Sequence, residues 1–594
     1  MVYRRAKLIW LLLCLAVLSG CVAPRIPPLK CRVLLEDNAL LSVPQQIWEV
    51  KQGQSLQITV GVPTGQRIAS VNYENHSVSP KVSSSPNFDY YTLTLHQIRY
   101  DTLLRIAVAP AYTTGYHAAG GEGASISLLE ESPHLYFNTL PYRQQFTRKG
   151  HVPIGWNTAE DGSGLCVGFG SRIDHRTSSH LDLYMHWLPA SPTSDFLWEE
   201  IQGEAIITGY LGSGEDLVIP MELDGYPVRK IASGAFGDLT LNRLVLSPSL
   251  KTIENAAFGH ITAQKFYFFD DLAGLQEETF QSYSFREIHI QAVVDPVYSG
   301  SYFDTFADKM DYLDSLRHRP KIVLFCGSSA RFGYDSEMLD AAFPNYRTVN
   351  MGVYAYSNMR PQGELILQRM GQGDILLSSP ELDAIDKQFC SETDLDKETF
   401  CMVESNYDLF SQLDCRNYTH IFGAYAQYTQ SRLHMTPRSY LESAADYDED
   451  GNRLLNPSYN LQGDYIVYRP NNSEGKNFGV KRAFYNKSYI RPQDLAGLNA
   501  LYTAFLKKGV SVYFTYSPRS ATSISPDSTP DSIAQLDAYF RRELVVPVIS
   551  PIHASLMDPY YFHGTDNHLC TEGVTIHTRN IITWLQEVMK EETP

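Results

Sequence analysis

The chain has 594 residues, 43% of them hydrophobic and 12% aromatic, with 49 Lys and Arg against 66 Asp and Glu, a formal charge of -17 at pH 7. That length predicts several domains. The acidic balance argues against nucleic acid as a partner, because phosphate backbones are bound by concentrated basic surfaces.

Residues 1–20 begin with Arg4, Arg5 and Lys7, continue as an apolar run from Leu8 to Leu18, and end in Ser19-Gly20 before Cys21. The run is about half of the ~20 residues a bilayer span needs, and small residues precede the Cys as a cleavage site requires. A secretory signal peptide is therefore expected in place of an anchor helix. Leu18-Ser19-Gly20-Cys21 resembles the bacterial lipoprotein signal. The resemblance implies lipidation of Cys21 and a protein held by two acyl chains on the extracellular face of the cell membrane. Loss of the signal leaves 46 basic residues against 66 acidic ones, a charge of -20. Apart from Cys14 and Cys21, seven cysteines remain, an odd count that argues against a full disulfide framework. Cys390, Cys401 and Cys415 leave room for one bridge but lack metal-ligand spacing, so no structural zinc is expected.

A stiff tether, residues 21–30 with Pro24 to Pro28, leads into residues 31–110. There the period-two alternation of Leu56-Gln57-Ile58-Thr59-Val60 and Tyr91-Thr92-Leu93-Thr94-Leu95 predicts a small antiparallel β domain. Residues 111–189 carry Gly120-Gly121-Glu122-Gly123, Gly155-Trp156-Asn157-Thr158, Asp161-Gly162-Ser163-Gly164 and Leu183-Tyr184-Met185-His186-Trp187 in order. These blocks resemble the internalin-type B repeat of bacterial surface proteins, which implies a β-grasp-like spacer or adhesive module. On the alternation alone, Trp156 and Trp187 are core aromatics in preference to sugar-stacking platforms.

Residues 195–291 repeat with a period of 22: Ile231, Ile253 and Leu275; Phe236, Phe258 and Phe280; Leu244, Phe266 and Ile288. A constant period over apolar positions predicts a solenoid whose units bury each other's edges. Ile231-Ala232-Ser233-Gly234-Ala235-Phe236 resembles the irregular leucine-rich repeats of bacterial cell-surface proteins, used there for adhesion and spacing. A surface ligand of the repeats is accordingly one expected partner, and a plain scaffold is the alternative.

Residues 300–594 alternate buried strands (Ile322 to Phe325, Arg347 to Asn350, Asp374 to Leu377, Val510 to Phe514, Val545 to Ile549) with helices (Pro361 to Met370, Leu495 to Lys507, Ser532 to Leu544). This predicts a parallel sheet covered on both faces. The expected fold class is thus multidomain: N-terminal β modules, a short leucine-rich-repeat solenoid, and a C-terminal α/β domain with a parallel sheet. Cys326-Gly327-Ser328-Ser329 after the first of those strands, Asn350-Met351-Gly352 after the second, and Asp566-Asn567-His568-Leu569 near the end resemble the ordered blocks of the SGNH hydrolase superfamily. The resemblance implies an SGNH/flavodoxin-like form of that domain, with Ser329 as nucleophile, His568 as base, Asp566 as its orienting carboxylate, and backbone N–H groups of Ser329 and Gly352 as oxyanion donors.

Two departures from the family pattern stand out. Thr565 occupies the position three before His568 where Asp is common, and the third block, with its Asn, has no counterpart; Leu377-Ser378-Ser379-Pro380-Glu381 stands in its place. One oxyanion donor is thereby left unassigned, with Ser379 as a candidate; Glu381 reads as a solvated loop carboxylate, and Cys326 as a buried strand residue. Residues 439–489 read as an insertion over the sheet edge.

Chemically, a Ser hydroxyl needs an imidazole to take its proton, and each backbone donor aimed at the oxyanion contributes roughly 2.7 to 4 kcal/mol. The resulting expectation is a membrane-anchored serine esterase or O-acyltransferase acting on acylated envelope or extracellular glycans, with no metal or organic cofactor. An adhesion or scaffold protein with an inactive SGNH-like domain is the alternative.

Overall fold

The computed structural model describes residues 29–35, 47–73, 76–78, 82–98, 100–130, 136–174, 180–272, 274–298, 303, 305–389, 395–434, 459–475 and 483–591. The expected signal peptide, Cys21, the expected proline tether, Cys390 and much of the expected 439–489 insertion lie outside them. Two compact units are present, Met1–Ala109 and Pro110–Pro594.

In the first unit, Leu56–Pro63 pairs antiparallel with Phe88–Leu95, Leu56 opposite Leu95. Ile58, Val60 and Val62 are buried, and Gln57 and Thr59 face out. A second sheet departs from the antiparallel expectation: Leu29–Leu35 runs parallel to Thr102–Pro110. Parallel neighbours need a long crossover, so the pairing of the unit's first and last strands leaves no mark in local alternation.

The second unit opens with a sheet in which His180–Pro189 lies between Tyr112–His117 and His151–Asn157. Trp156 is fully buried, edge-on to Tyr116 at 4.8 Å, and its indole N–H donates to Leu140 O at 3.0 Å. Trp187 donates to Ala118 O at 2.7 Å. Both rings belong to the core. The preceding Gly155 has φ +133°, and a Cβ there would lie 2.6 Å from Val167 O; only glycine fits this bulge.

Next come β1 (Leu239–Val245), β2 (Phe258–Phe269) and β3 (Phe280–Gln291), paired in parallel. Leu244 faces Phe266 and Phe266 faces Ile288 across the ladder. The Phe236 and Phe258 rings stack at 4.8 Å, and those of Phe258 and Phe280 at 5.2 Å. Residues 22 apart in sequence are therefore neighbours in space.

After α1 (Thr305–Ser315), a four-stranded parallel sheet forms from β4 (Lys321–Phe325), β5 (Arg347–Asn350), β6 (Ile375–Ser378) and β7 (Ser511–Phe514), in the order β5-β4-β6-β7. Between them lie the short α2 (Ser328–Arg331), α3 (Met359–Gln368), α4 (Ile421–His434) and α5 (Pro492–Lys507). Two more helices, α6 (Pro530–Glu543) and α7 (Thr571–Glu591), follow. On β4, Ile322 and Leu324 join Ile581 and Leu585 of α7, while Val323 and Phe325 share a core with Leu365 of α3 and Leu498 of α5. Both faces are covered, which is why β4 and β6 read as nearly unbroken apolar runs. The segment from Val545 to Ile549 is not a strand: it meets β7 through one bridge, Phe514 to Val548, and Val545 is exposed.

The change of periodicity near residue 300 does not interrupt the core. Phe422 of α4 packs on Phe280 at 5.1 Å, Tyr283 at 4.8 Å and Phe266 at 5.9 Å. Beside it, Arg432 of α4 pairs with Asp270 at 3.3 Å and with Glu404 at 3.0 Å. The repeat strands and the α/β region are one packed body.

Candidate functional site

In the order β5-β4-β6-β7 the chain reverses direction across the sheet at β4, whose two neighbours are entered one after the other. In doubly wound sheets the carboxyl ends of the strands flanking such a point form the ligand crevice. Cys326-Gly327-Ser328-Ser329 follows β4 there, and α2 begins at Ser328 with Gly327 as its N-cap. Both glycines of the expected blocks are demanded by close approach. A Cβ on Gly327 would lie 2.6 Å from Ala355 Cα and 2.7 Å from Glu381 Oε2; one on Gly352 would lie 2.5 Å from the Arg331 backbone N. The loops after β4, β5 and β6 are thereby drawn into contact.

His568 reaches this turn, but its partner is Ser328. The His568 Nε2 to Ser328 Oγ distance is 2.9 Å. Ser329 is fully buried, and its Oγ accepts from Asn567 Nδ2 at 3.2 Å. The expected oxyanion donors are both engaged elsewhere: Ser329 N–H donates to Glu381 Oε1 at 2.9 Å, and Gly352 N–H to Asn350 Oδ1 at 3.0 Å. The Ser328 backbone N–H, by contrast, has no acceptor among the described residues. Being first in a helix, it is one of the donors that helix geometry leaves over.

Asp566 does not orient His568. Its carboxylate lies 2.9 Å from Arg519 Nη1, and Arg519 also pairs with Asp383. Thr565 uses its hydroxyl to accept the His568 backbone N–H at 3.0 Å and to donate to Asn567 Oδ1 at 2.9 Å. The imidazole is held instead by stacking on Phe332, with centroids 4.0 Å apart. Burial, and then the nearby Arg469, Arg331 and Arg519, bring the His568 pKa down to about 3. The ring is neutral at pH 7, and the cationic surroundings that disfavour an imidazolium favour negative charge on an adjacent oxygen.

Glu381 departs most from its sequence reading as a solvated loop carboxylate. It is 1% exposed and accepts from three donors: Ser329 N, Gly327 N at 3.2 Å and Gln388 Nε2 at 2.5 Å; Cys326 Sγ lies 3.2 Å away, its closer acceptor being Ser379 O. A buried carboxylate is tolerable when its lone pairs are filled in this way. Nothing in Ser378-Ser379-Pro380-Glu381 advertises this, because the three donors come from elsewhere in the chain. Ser379 is buried and accepts from Tyr334 OH at 3.3 Å. Cys326 is buried, and burial followed by Glu381 pushes its thiol well above the ordinary range. Among the neighbouring histidines, His577 is buried under Tyr334 and depressed to about 4 by burial, and His563 and His553 are exposed.

Cys401 and Cys415 are free thiols and do not bridge each other. Among the described residues no group of three His, Cys, Asp or Glu side chains could hold a metal ion, and no helix is long and apolar enough to cross a membrane. No protein-family model matches the chain, and no curated protein is significantly similar to it.

Proposed function

We propose that the carboxyl-terminal region is an SGNH-like serine hydrolase or acyltransferase domain in which Ser328, and not Ser329, is the nucleophile. The observation that carries this reading is the 2.9 Å contact between Ser328 Oγ and His568 Nε2 at the carboxyl edge of a parallel sheet. Ser328 Oγ attacks an ester carbonyl as its proton passes to His568 Nε2. The C–O bond to the leaving alcohol breaks and the alcohol takes that proton, leaving acyl-Ser328. Water or a sugar hydroxyl then gives its proton to His568 and attacks the acyl carbonyl; the bond from the acyl carbon to Ser328 Oγ breaks, and Oγ takes the proton back from His568. The open Ser328 N–H supplies an oxyanion donor, as the nucleophile's own amide does in this chemistry. With Cys21 lipidated, the repeats reading as leucine-rich units and residues 111–189 as a B-repeat module, the substrate is an acylated envelope or extracellular glycan.

A second reading, an adhesion or scaffold protein with an inactive domain, is favoured by one observation: no carboxylate lies within ion-pair distance of His568 among the described residues, while the amides of Ser329 and Gly352 are occupied. Treating the full-length chain with a fluorophosphonate probe separates the two. Labelling abolished by Ser328→Ala and His568→Ala but retained in Ser329→Ala is the expected result. A folded protein that takes no label supports the scaffold, and labelling lost only in Ser329→Ala restores the family assignment.

A further inference from the structure

At the opposite, amino-terminal end of the same sheet lies a cavity of ≈ 710 Å³ lined by residues 317–321 and 368–372 with Asp374 and Gln412. It is remote from Ser328, which follows the other end of β4, and it stands independently of the proposed function. Its walls are fixed internally. Lys321 Nζ lies 2.8 Å from Asp374 Oδ2, both side chains being buried. Arg369 Nε donates to Asp314 Oδ2 at 3.0 Å and its Nη2 to Gln412 Oε1 at 3.0 Å.

The rim is different. Arg317 shares Asp314 with Arg369, at 2.7 Å from Oδ1. Exposed Arg319 and His318 have no side-chain hydrogen bond or carboxylate partner among the described residues. Four basic side chains, Arg317, Arg319, Lys321 and Arg369, thus have only Asp314 and Asp374 as carboxylate partners among the described residues, in a chain whose total charge is -17. Cations just past a helix end offset its dipole, which accounts for Arg317 beyond α1. That effect fades within the last turn and does not extend to Arg319, four residues past Ser315.

We infer that this cavity binds a phosphate-bearing anion, with Arg319 and Arg317 as its principal contacts. A guanidinium fork matches phosphate oxygens in paired hydrogen bonds. The surplus positive charge suits a phosphomonoester or phosphodiester better than a single carboxylate. Local cations of this kind also concentrate anions against a repelling overall charge. A soluble phosphate compound and a phospholipid headgroup offer the same chemistry.

The test titrates the full-length chain with inorganic pyrophosphate and with glycerol phosphate by calorimetry, and sediments it with phosphatidylglycerol or phosphatidylcholine vesicles. The double variant Arg317→Ala/Arg319→Ala and the control Lys51→Ala, in the other compact unit, run alongside. The inference predicts saturable binding of at least one phosphate probe, weakened at least tenfold in the double variant and by raised salt, and unchanged in the control. Selective sedimentation with phosphatidylglycerol that the double variant loses assigns a headgroup; binding confined to the soluble probes assigns a free phosphate compound. Both exchanged side chains are exposed, so melting temperature and Ser328 labelling should stay as in the parent. Absence of binding to every probe, or binding that the double variant retains in full, overturns the inference.

Discussion

The carboxylate of Glu381 accepts the backbone N–H of Ser329 at 2.9 Å, so that the amide beside the reactive turn is closed by the chain's own anion while the amide of Ser328 stays open. On the proposed reading, this relationship favours the first serine over the second as nucleophile. Removing the carboxylate with Glu381→Ala leaves the amides of Gly327 and Ser329 buried without acceptors, at a cost of about 1–3 kcal/mol each. A fall in melting temperature and slower probe labelling are expected together, with Glu381→Gln, which keeps one acceptor oxygen, intermediate in both. An Ala variant as stable and as reactive as the parent would show that the turn is set by other contacts.

A triad carboxylate and a structural one respond differently to Asp→Asn. Loss of an orienting Asp costs about 10⁴ in rate, whereas Asp566 is bound to Arg519. Asp566→Asn should therefore lower the urea midpoint but leave the labelling rate within about tenfold of the parent. A drop of several orders of magnitude in a folded variant would return Asp566 to the catalytic machinery.

Stability should fall as pH rises from about 4.5 to about 7. Burial raises Glu404 and Asp311 to about 7 and Asp270 and Asp464 to about 6. A carboxyl raised in the folded state contributes stability below its unfolded pKa and loses it as pH climbs through the folded value. The depressed His568 and His577, at about 3 and 4, act in the opposite sense, losing stability as pH falls below the ordinary histidine value. Four raised carboxyls outweigh two depressed histidines, so melting temperatures should decline between pH 4.5 and about pH 7 and level off above it. Glu404→Gln should make that decline shallower while lowering the whole curve, because Arg432 loses a carboxyl partner. A monotonic rise toward pH 8 would contradict this balance.

Phe422 joins the repeat strands to the α/β region through three aromatic contacts at 4.8–5.9 Å. Phe422→Ala should cost about 3–5 kcal/mol. Hydrogen exchange should speed up in β3 as well as in α4, since the two share one core. Faster exchange restricted to α4 would mean that the regions open separately.

Much of this protein is written in local sequence. Alternation located Leu56–Pro63 and Phe88–Leu95, short apolar segments located β4, β6 and β7, and the 22-residue spacing told which phenylalanines would be neighbours, because each pattern follows from the period of its own element. The glycines at 327 and 352 were visible as glycines, and the late His568 as a residue able to reach the β4 turn. What tertiary structure decided is which atoms meet there. Ser328 and Ser329 are adjacent, and a short helix turns their hydroxyls toward different neighbours, one to His568 and the other to Asn567. Whether an amide is open or closed depends on Glu381 and Asn350, residues brought in from other strands. The parallel pairing of Leu29–Leu35 with Thr102–Pro110 and the single core across residue 300 are likewise contacts between distant segments. A periodic pattern tells a residue which face it occupies, and only the closed fold supplies its partner.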